Sequence, residues 1–125
     1  MSQTMSYEAA GRDWVRQPLF ALGWWGLPFA IAFGSNFWRL SLREAAWIWG
    51  GSMAVMGVGC LLNWARCRRL HCIISGPVLL AGAVGAAAIA VFDAWGPHAL
   101  SYLTGAAFAL VLASFIPEIL GRRYL

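Results

Sequence analysis

Four stretches of this 125-residue chain run almost without charge: about Pro18 to Phe37, Ala45 to Asn63, Ile73 to Phe92 and Ala99 to Leu120. Each is close to the roughly 20 residues a helix needs to cross a hydrocarbon core. The first opens with a proline, which the first turn of a helix tolerates, and carries Pro28 inside, where a bend is expected. The second is rich in glycine, and the third and fourth are joined by the tight sequence Asp93-Ala94-Trp95-Gly96-Pro97. The pattern predicts an all-α, integral membrane four-helix bundle forming one domain over residues 18–120. Residues 1–17 and 121–125 are left as tails. The first tail is expected to hold a short interfacial helix over Ser6 to Gln17, with Tyr7 and Trp14 two turns apart.

Composition agrees with lipid as the solvent. The chain is 61% hydrophobic and 11% charged, against roughly 45–50% and about 25% in soluble domains. A soluble fold of this size cannot hide so much apolar surface. The net charge of +4 comes from nine basic residues, all arginine, and these read as topology signals rather than as a nucleic-acid footprint. Arg12 and Arg16, then Arg66, Arg68 and Arg69, then Arg122 and Arg123 fall on one side; only Arg39 and Arg43 fall on the other. Because positive flanks stay inside, both termini are expected in the cytoplasm, with the bacterial inner membrane as the expected location. The polar first seventeen residues lead into a Trp-rich span without a small-residue cleavage site, so no removable signal peptide is expected.

Tryptophans fit the same frame: Trp14 and Trp64 at the inner interface, and Trp38, Trp47, Trp49 and Trp95 near the outer one. Trp24 and Trp25 lie inside the first span, where packing, lipid contact and a pocket all remain open. Ser101, Gly105, Ala109 and Ala113 form a small-residue stripe on the fourth span, and Gly82, Ala86 and Ala90 form one on the third. These stripes predict that the last two helices pack as a close hairpin.

The chemistry-bearing segment joins the second span to the third. Around a helix Cys60 and Cys67 differ by about 20°, and His71 follows Cys67 by four residues. A continuous helix would therefore set two thiols and an imidazole on one face, near Asn63, with Cys72 at the mouth of the third span. Thiolate and imidazole are ligands of soft or borderline cations such as Cu(I), Zn(II) or Hg(II). Arg66, Arg68 and Arg69 would favour thiolate over thiol. The plainer reading makes the cysteines apolar filler and the arginines topology signals. Three cysteines in a cytoplasmic turn do not make a structural disulfide framework.

Residues 63–72, Asn-Trp-Ala-Arg-Cys-Arg-Arg-Leu-His-Cys, followed by Ser75-Gly76-Pro77, resemble a pattern found in uncharacterised small bacterial four-helix membrane proteins: Asn-x-x-Arg-Cys-x-Arg-x-His-Cys, then Gly-Pro opening the next helix. The resemblance covers about fifteen residues and implies that Arg66, Cys67, Arg69, His71, Cys72, Gly76 and Pro77 are signature positions. More loosely, the chain is similar to small mercuric-ion transporters. Those carry an adjacent cysteine pair in the first span, where this chain has no cysteine.

Glu118, beside Pro117 near the inner end of the fourth span, is an ionisable group at membrane depth and so a functional candidate. It is expected to pair with Arg122 or with an arginine of the Cys/His turn. Asp93 is expected to cap or solvate the outer turn, and His98 to lie at the interface. No nucleotide-binding glycine loop, Ser/His/Asp set or paired catalytic carboxylates occur, so no enzyme is expected.

Three functions follow. The first is a carrier or accessory protein handling a soft metal ion, with Cys60, Cys67, His71 and Cys72 as ligands. The second is a structural or assembly subunit of a larger membrane complex. The third is a thiol redox protein using Cys67 and Cys72. Four helices leave little room for a conduction path within one copy, so transport implies a homo-oligomer or partner subunits.

The orientation is testable directly. A fluorescent protein fused after Leu125 should fluoresce and alkaline phosphatase fused there should be inactive; the reverse pattern contradicts it.

Overall fold

The computed structural model describes residues 13–93, 95–96 and 98–121. Most of the expected interfacial helix lies outside the described residues, as do Arg12, Arg122, Arg123 and two residues of the outer turn, Ala94 and Pro97. Four helices make the fold: α1 Pro18–Ser35, α2 Leu42–Cys67, α3 Leu70–Phe92 and α4 Ala99–Ile119, each long and apolar enough to cross a membrane. A short 3-10 turn, Trp14–Arg16, precedes α1.

Pro28 has no amide hydrogen to give to the preceding turn, and α1 absorbs this with a single wide turn over Leu22–Gly26. There the Leu27 amide reaches back to the Leu22 carbonyl instead of one residue less. Such wide turns recur where a helix must re-aim side chains. Here the turn carries Trp24 and Trp25.

α2 starts in a capping box: Ser41 Oγ accepts from the Glu44 amide at 3.2 Å, and the Ser41 amide donates to Glu44 Oε2 at 2.9 Å. Both are orphan groups at a helix start, satisfied reciprocally. The helix runs on past Asn63 to Cys67 and stops at Arg68, whose φ of 58° is left-handed. α3 begins at once with Leu70, so Gly76 and Pro77 sit inside it rather than at its opening. Asp93 ends α3 with φ 48° as its C-cap, and exposed His98 is the N-cap of α4. α4 is interrupted after Ala113 and resumes as Ile116–Ile119, where Pro117 occupies the first turn.

The closest helix pair is α2 with α3, not α3 with α4. Glycine explains the choice. A Cβ on Gly57 would lie 3.1 Å from the Gly76 carbonyl oxygen, and one on Gly50 would lie 3.4 Å from the Ala83 carbonyl oxygen. With no Cβ in the way, the two backbones approach to carbonyl contact. At the Leu42 end of α2, Arg43 Nε ties the pair by donating to the Ala90 carbonyl at 2.9 Å.

The stripe of Gly82, Ala86 and Ala90 is buried, as a packing face should be; Gly82 lies between Met53 of α2 and Ala107 of α4, and Ala86 meets Gly50 of α2. The stripe of Ser101, Gly105, Ala109 and Ala113 faces outward, and nothing lies within 4 Å of where a Gly105 Cβ would be. α3 and α4 do pack against each other, with Ser75 Oγ 2.8 Å from Ser114 Oγ and Gly85 against Leu103, but the fourth-span stripe takes no part and the closer approach is that of α2 to α3.

The distribution of polarity is the reverse of a soluble protein's. Outward faces carry Leu19, Leu22, Phe33, Val84, Tyr102 and Leu112, while Asp13, Asn63, His71, Ser75 and Glu118 are buried. Large apolar exteriors of this kind call for an apolar solvent.

Substitution Gly57→Val is expected to lower unfolding free energy by about 1–3 kcal/mol through forced separation of α2 and α3. Gly105→Ala should change it by less than about 0.5 kcal/mol. Thermal unfolding in mild detergent compares the two, and equal effects would contradict the packing.

Candidate thiol site

Asp13 closes the 3-10 turn before α1: its Oδ1 accepts from the Val15 amide at 3.0 Å. The same oxygen accepts from Asn63 Nδ2 of α2 at 2.9 Å. Asn63 Oδ1 accepts from the Trp14 amide at 2.8 Å, and Nδ2 also donates to Cys72 Sγ at 3.4 Å. A fully buried amide must satisfy both of its ends. Here one side chain does so while joining the N-terminal turn, α2 and the first turn of α3.

Arg69, in the break between α2 and α3, is the second hub. Its Nη1 pairs with Asp13 Oδ2. Its Nε donates to Glu118 Oε1 at 3.1 Å, and its Nη2 to Glu118 Oε2 at 2.9 Å. The fixed fork of a guanidinium suits a carboxylate held by two bonds. Through it the start of α1, the α2–α3 junction and the end of α4 meet at one end of the bundle.

Burial opposes the charge on Asp13, but hydrogen bonds from Asn63 and Arg69, the guanidinium charge and the Val15 amide outweigh it. They hold this carboxyl below the ordinary carboxylate value. Burial likewise opposes the charge on Arg69, and its bonds to Glu118 and Asp13 more than reverse that, raising its pKa.

Glu118 Oε1 lies 2.6 Å from His71 Nδ1 and 3.3 Å from the His71 amide nitrogen. The Arg69 Nε is 3.1 Å from the same ring nitrogen, but one nitrogen cannot serve both. The shorter contact to a carboxylate assigns the proton to Nδ1. Nε2 then faces Cys72 Sγ at 3.5 Å. Phe115 stacks on the imidazole with ring centres 4.1 Å apart and fixes its plane.

Two thiols complete the site. Cys60 of α2 and Cys72 of α3 are both buried in the same core cluster. Trp25 Nε1, delivered by the wide turn of α1, donates to Cys60 Sγ at 3.2 Å. Cys67 is used differently, donating its thiol hydrogen to the Asn63 carbonyl at 3.1 Å. Among the described residues, no group of three or more His, Cys, Asp or Glu side chains is arranged to hold a metal ion.

The structure thus gathers Cys60, Cys72, His71, Arg69 and Glu118. Arg66 is exposed, with its guanidinium 4.8 Å from the Trp14 ring centre. Because α2 ends at Cys67, His71 does not continue the Cys60/Cys67 face and reaches the site from α3. Glu118 pairs with Arg69, one of the two kinds of partner expected for it. Trp25, for which a pocket is one of the readings open from the sequence, lines the cavity beside the thiols, whereas Asp13 is not singled out as a site residue by the sequence. An acidic residue directly before Trp14, at the edge of the first span, is the signal that marks Asp13.

A cavity of about 400 Å³ adjoins the thiols, walled by Trp25, Phe29, Met56, Leu79, Phe108 and Phe115, with Cys60 and His71 on its surface. Its lining is almost entirely carbon and sulfur.

Fold and site together define a class: an all-α bundle of four membrane-length apolar helices with a buried ion network and a thiol pair at one end. The chain matches no protein-family model, no curated protein and no solved structure.

Arg69→Met would remove the guanidinium that Asp13 and Glu118 share, and removing one partner of a buried ion pair costs about 3–5 kcal/mol. Unfolding in detergent should register a loss of that size. The depressed Asp13 carboxyl adds stability above its unfolded value and loses it as pH falls through the lower folded value. Between about pH 6 and about pH 3, Asp13→Asn should therefore lose less stability than the parent chain. A steeper loss in the variant would contradict the assignment.

Proposed function

We propose that this chain is an integral membrane thiol protein whose Cys60 and Cys72 cycle between dithiol and disulfide, with both termini and the thiol site towards the cytoplasm. The observation that carries the reading is that Cys60 of α2 and Cys72 of α3 belong to one buried cluster while His71 Nε2 stands 3.5 Å from Cys72 Sγ. A thiol reacts as thiolate, so a reactive pair needs a proton acceptor beside it. Glu118 and Arg69 hold His71 with its free nitrogen turned to Cys72. A proton moving from Cys72 to His71 leaves two carboxylates and one thiolate beside one guanidinium and one imidazolium, so the cluster's net charge is the same before and after the step. That constancy lets burial accommodate the transfer. Cys67, bonded to backbone, stands outside the exchange.

A second reading rests on the same two buried cysteines. Two facing thiolates can hold a soft cation such as Cu(I) or Hg(II) with coordination number two, and such an ion needs no third protein ligand. In this form the chain is a carrier or accessory protein for a soft metal. Assembly with a second copy or with partner subunits would use the outward stripe of Ser101, Gly105, Ala109 and Ala113, which a single copy leaves open.

Treating the purified chain with diamide should yield a Cys60–Cys72 disulfide in mass spectra of the alkylated protein. Cys67→Ser should keep it, and Cys60→Ser or Cys72→Ser should abolish it. A bond through Cys67, or no bond, would contradict the reading. Elemental analysis tests the second reading: about one Cu or Hg per chain in the parent and none in the double serine variant.

A further inference from the structure

The thiol pair does not face water. Cys60 and His71 open onto the cavity of about 400 Å³, whose wall is aromatic and aliphatic. A charged oxidant entering it would lose its hydration without gaining partners. A neutral, flat, carbon-rich molecule loses little, and the volume falls at the lower end of the range that holds small ligands, about 300–1,000 Å³. The rings of Trp25, Phe29, Phe108 and Phe115 offer faces and edges for such a molecule to pack against.

Resting on the dithiol reading above, we infer that the cavity takes a lipid-soluble 1,4-quinone, and that Cys60 and Cys72 pass two electrons to it. Chemistry selects this class. The acceptor must take two electrons and two protons, remain uncharged in both forms, and arrive through lipid.

The step balances. Cys60, on the cavity wall, loses its thiol proton as its sulfur bonds to a ring carbon, and one quinone oxygen takes up that electron pair and a proton. Cys72 gives its proton to His71 Nε2, and the thiolate attacks Cys60 sulfur. The sulfur–sulfur bond forms as the sulfur–carbon bond breaks, and its electron pair returns to the ring. The second quinone oxygen then takes the proton from His71. Two S–H bonds and one quinone become one disulfide and one hydroquinone. Trp25 is a positioning residue: its indole N–H, 3.2 Å from Cys60 Sγ, orients the sulfur and supports negative charge on it.

The test uses the full reduced chain in detergent with a short-tailed dimethoxy-1,4-benzoquinone as probe, and diamide as a small oxidant in parallel. About one hydroquinone per chain should appear, with a Cys60–Cys72 disulfide, in the parent and in Cys67→Ser. Cys60→Ser and Cys72→Ser should yield no such disulfide. Val111 of α4 also lines the cavity, and filling it with Val111→Trp should slow the quinone reaction at least about tenfold, while diamide still forms the bond. If that variant fails to fold, the parent decides alone. Disulfide from diamide but not from quinone overturns the inference and leaves the dithiol reading standing. Disulfide from neither overturns both.

Discussion

Everything at the working end of this protein hangs on one guanidinium. Arg69 sits where two long helices meet, and its charge is shared between Asp13 before the first helix and Glu118 near the end of the last. In an apolar surround an unmatched charge is expensive, so removing Arg69 takes from both carboxylates the guanidinium they share. Three distant parts of the chain are thereby fixed to each other by electrostatics. The helix faces, largely uniform in their greasiness, do not supply that register.

The network also sets the chemistry. Glu118 has one oxygen committed to His71, which orients the ring and leaves Nε2 for Cys72. Asn63 plays a parallel part from the second helix, bonding Asp13, the Trp14 amide and the Cys72 sulfur together. The wide turn in the first helix then brings Trp25 to Cys60. Each thiol is held by a donor or acceptor whose own position is determined elsewhere in the network. In the dithiol reading proposed above, preorganisation of this kind is what would set a reactive thiol pair apart from two cysteines that fill space.

Four apolar runs without charge specify four helices from the amino-acid sequence alone, because in lipid a helix satisfies its own backbone. Glu118 is legible in the same way, since an acidic group at that depth needs a reason and an arginine. Partner choice is not. Period and spacing place Cys60 and Cys67 together on one helix, yet the left-handed turn at Arg68 redirects the chain and delivers Cys72 to Cys60. Small-residue stripes announce close packing but not with whom; Gly50 and Gly57 decide that for the second helix, leaving the fourth helix's stripe outward. For Asp13 the local sign is only an acidic residue at the edge of the first span, and its pairing with Arg69, 56 residues away, leaves no further mark in the sequence.

Glu118, held by Arg69, keeps the His71 proton on Nδ1, so that Nε2 is the nitrogen facing Cys72; the chemistry of the thiol pair depends on this. Nitrogen NMR of the imidazole reads it directly, in a His98→Gln background that leaves His71 as the one histidine of the chain. A protonated Nδ1 and a bare Nε2 are predicted in the neutral ring, with Glu118→Gln releasing a mixture of the two tautomers. A neutral ring with its proton on Nε2 in the parent chain, or a tautomer indifferent to Glu118, would contradict it.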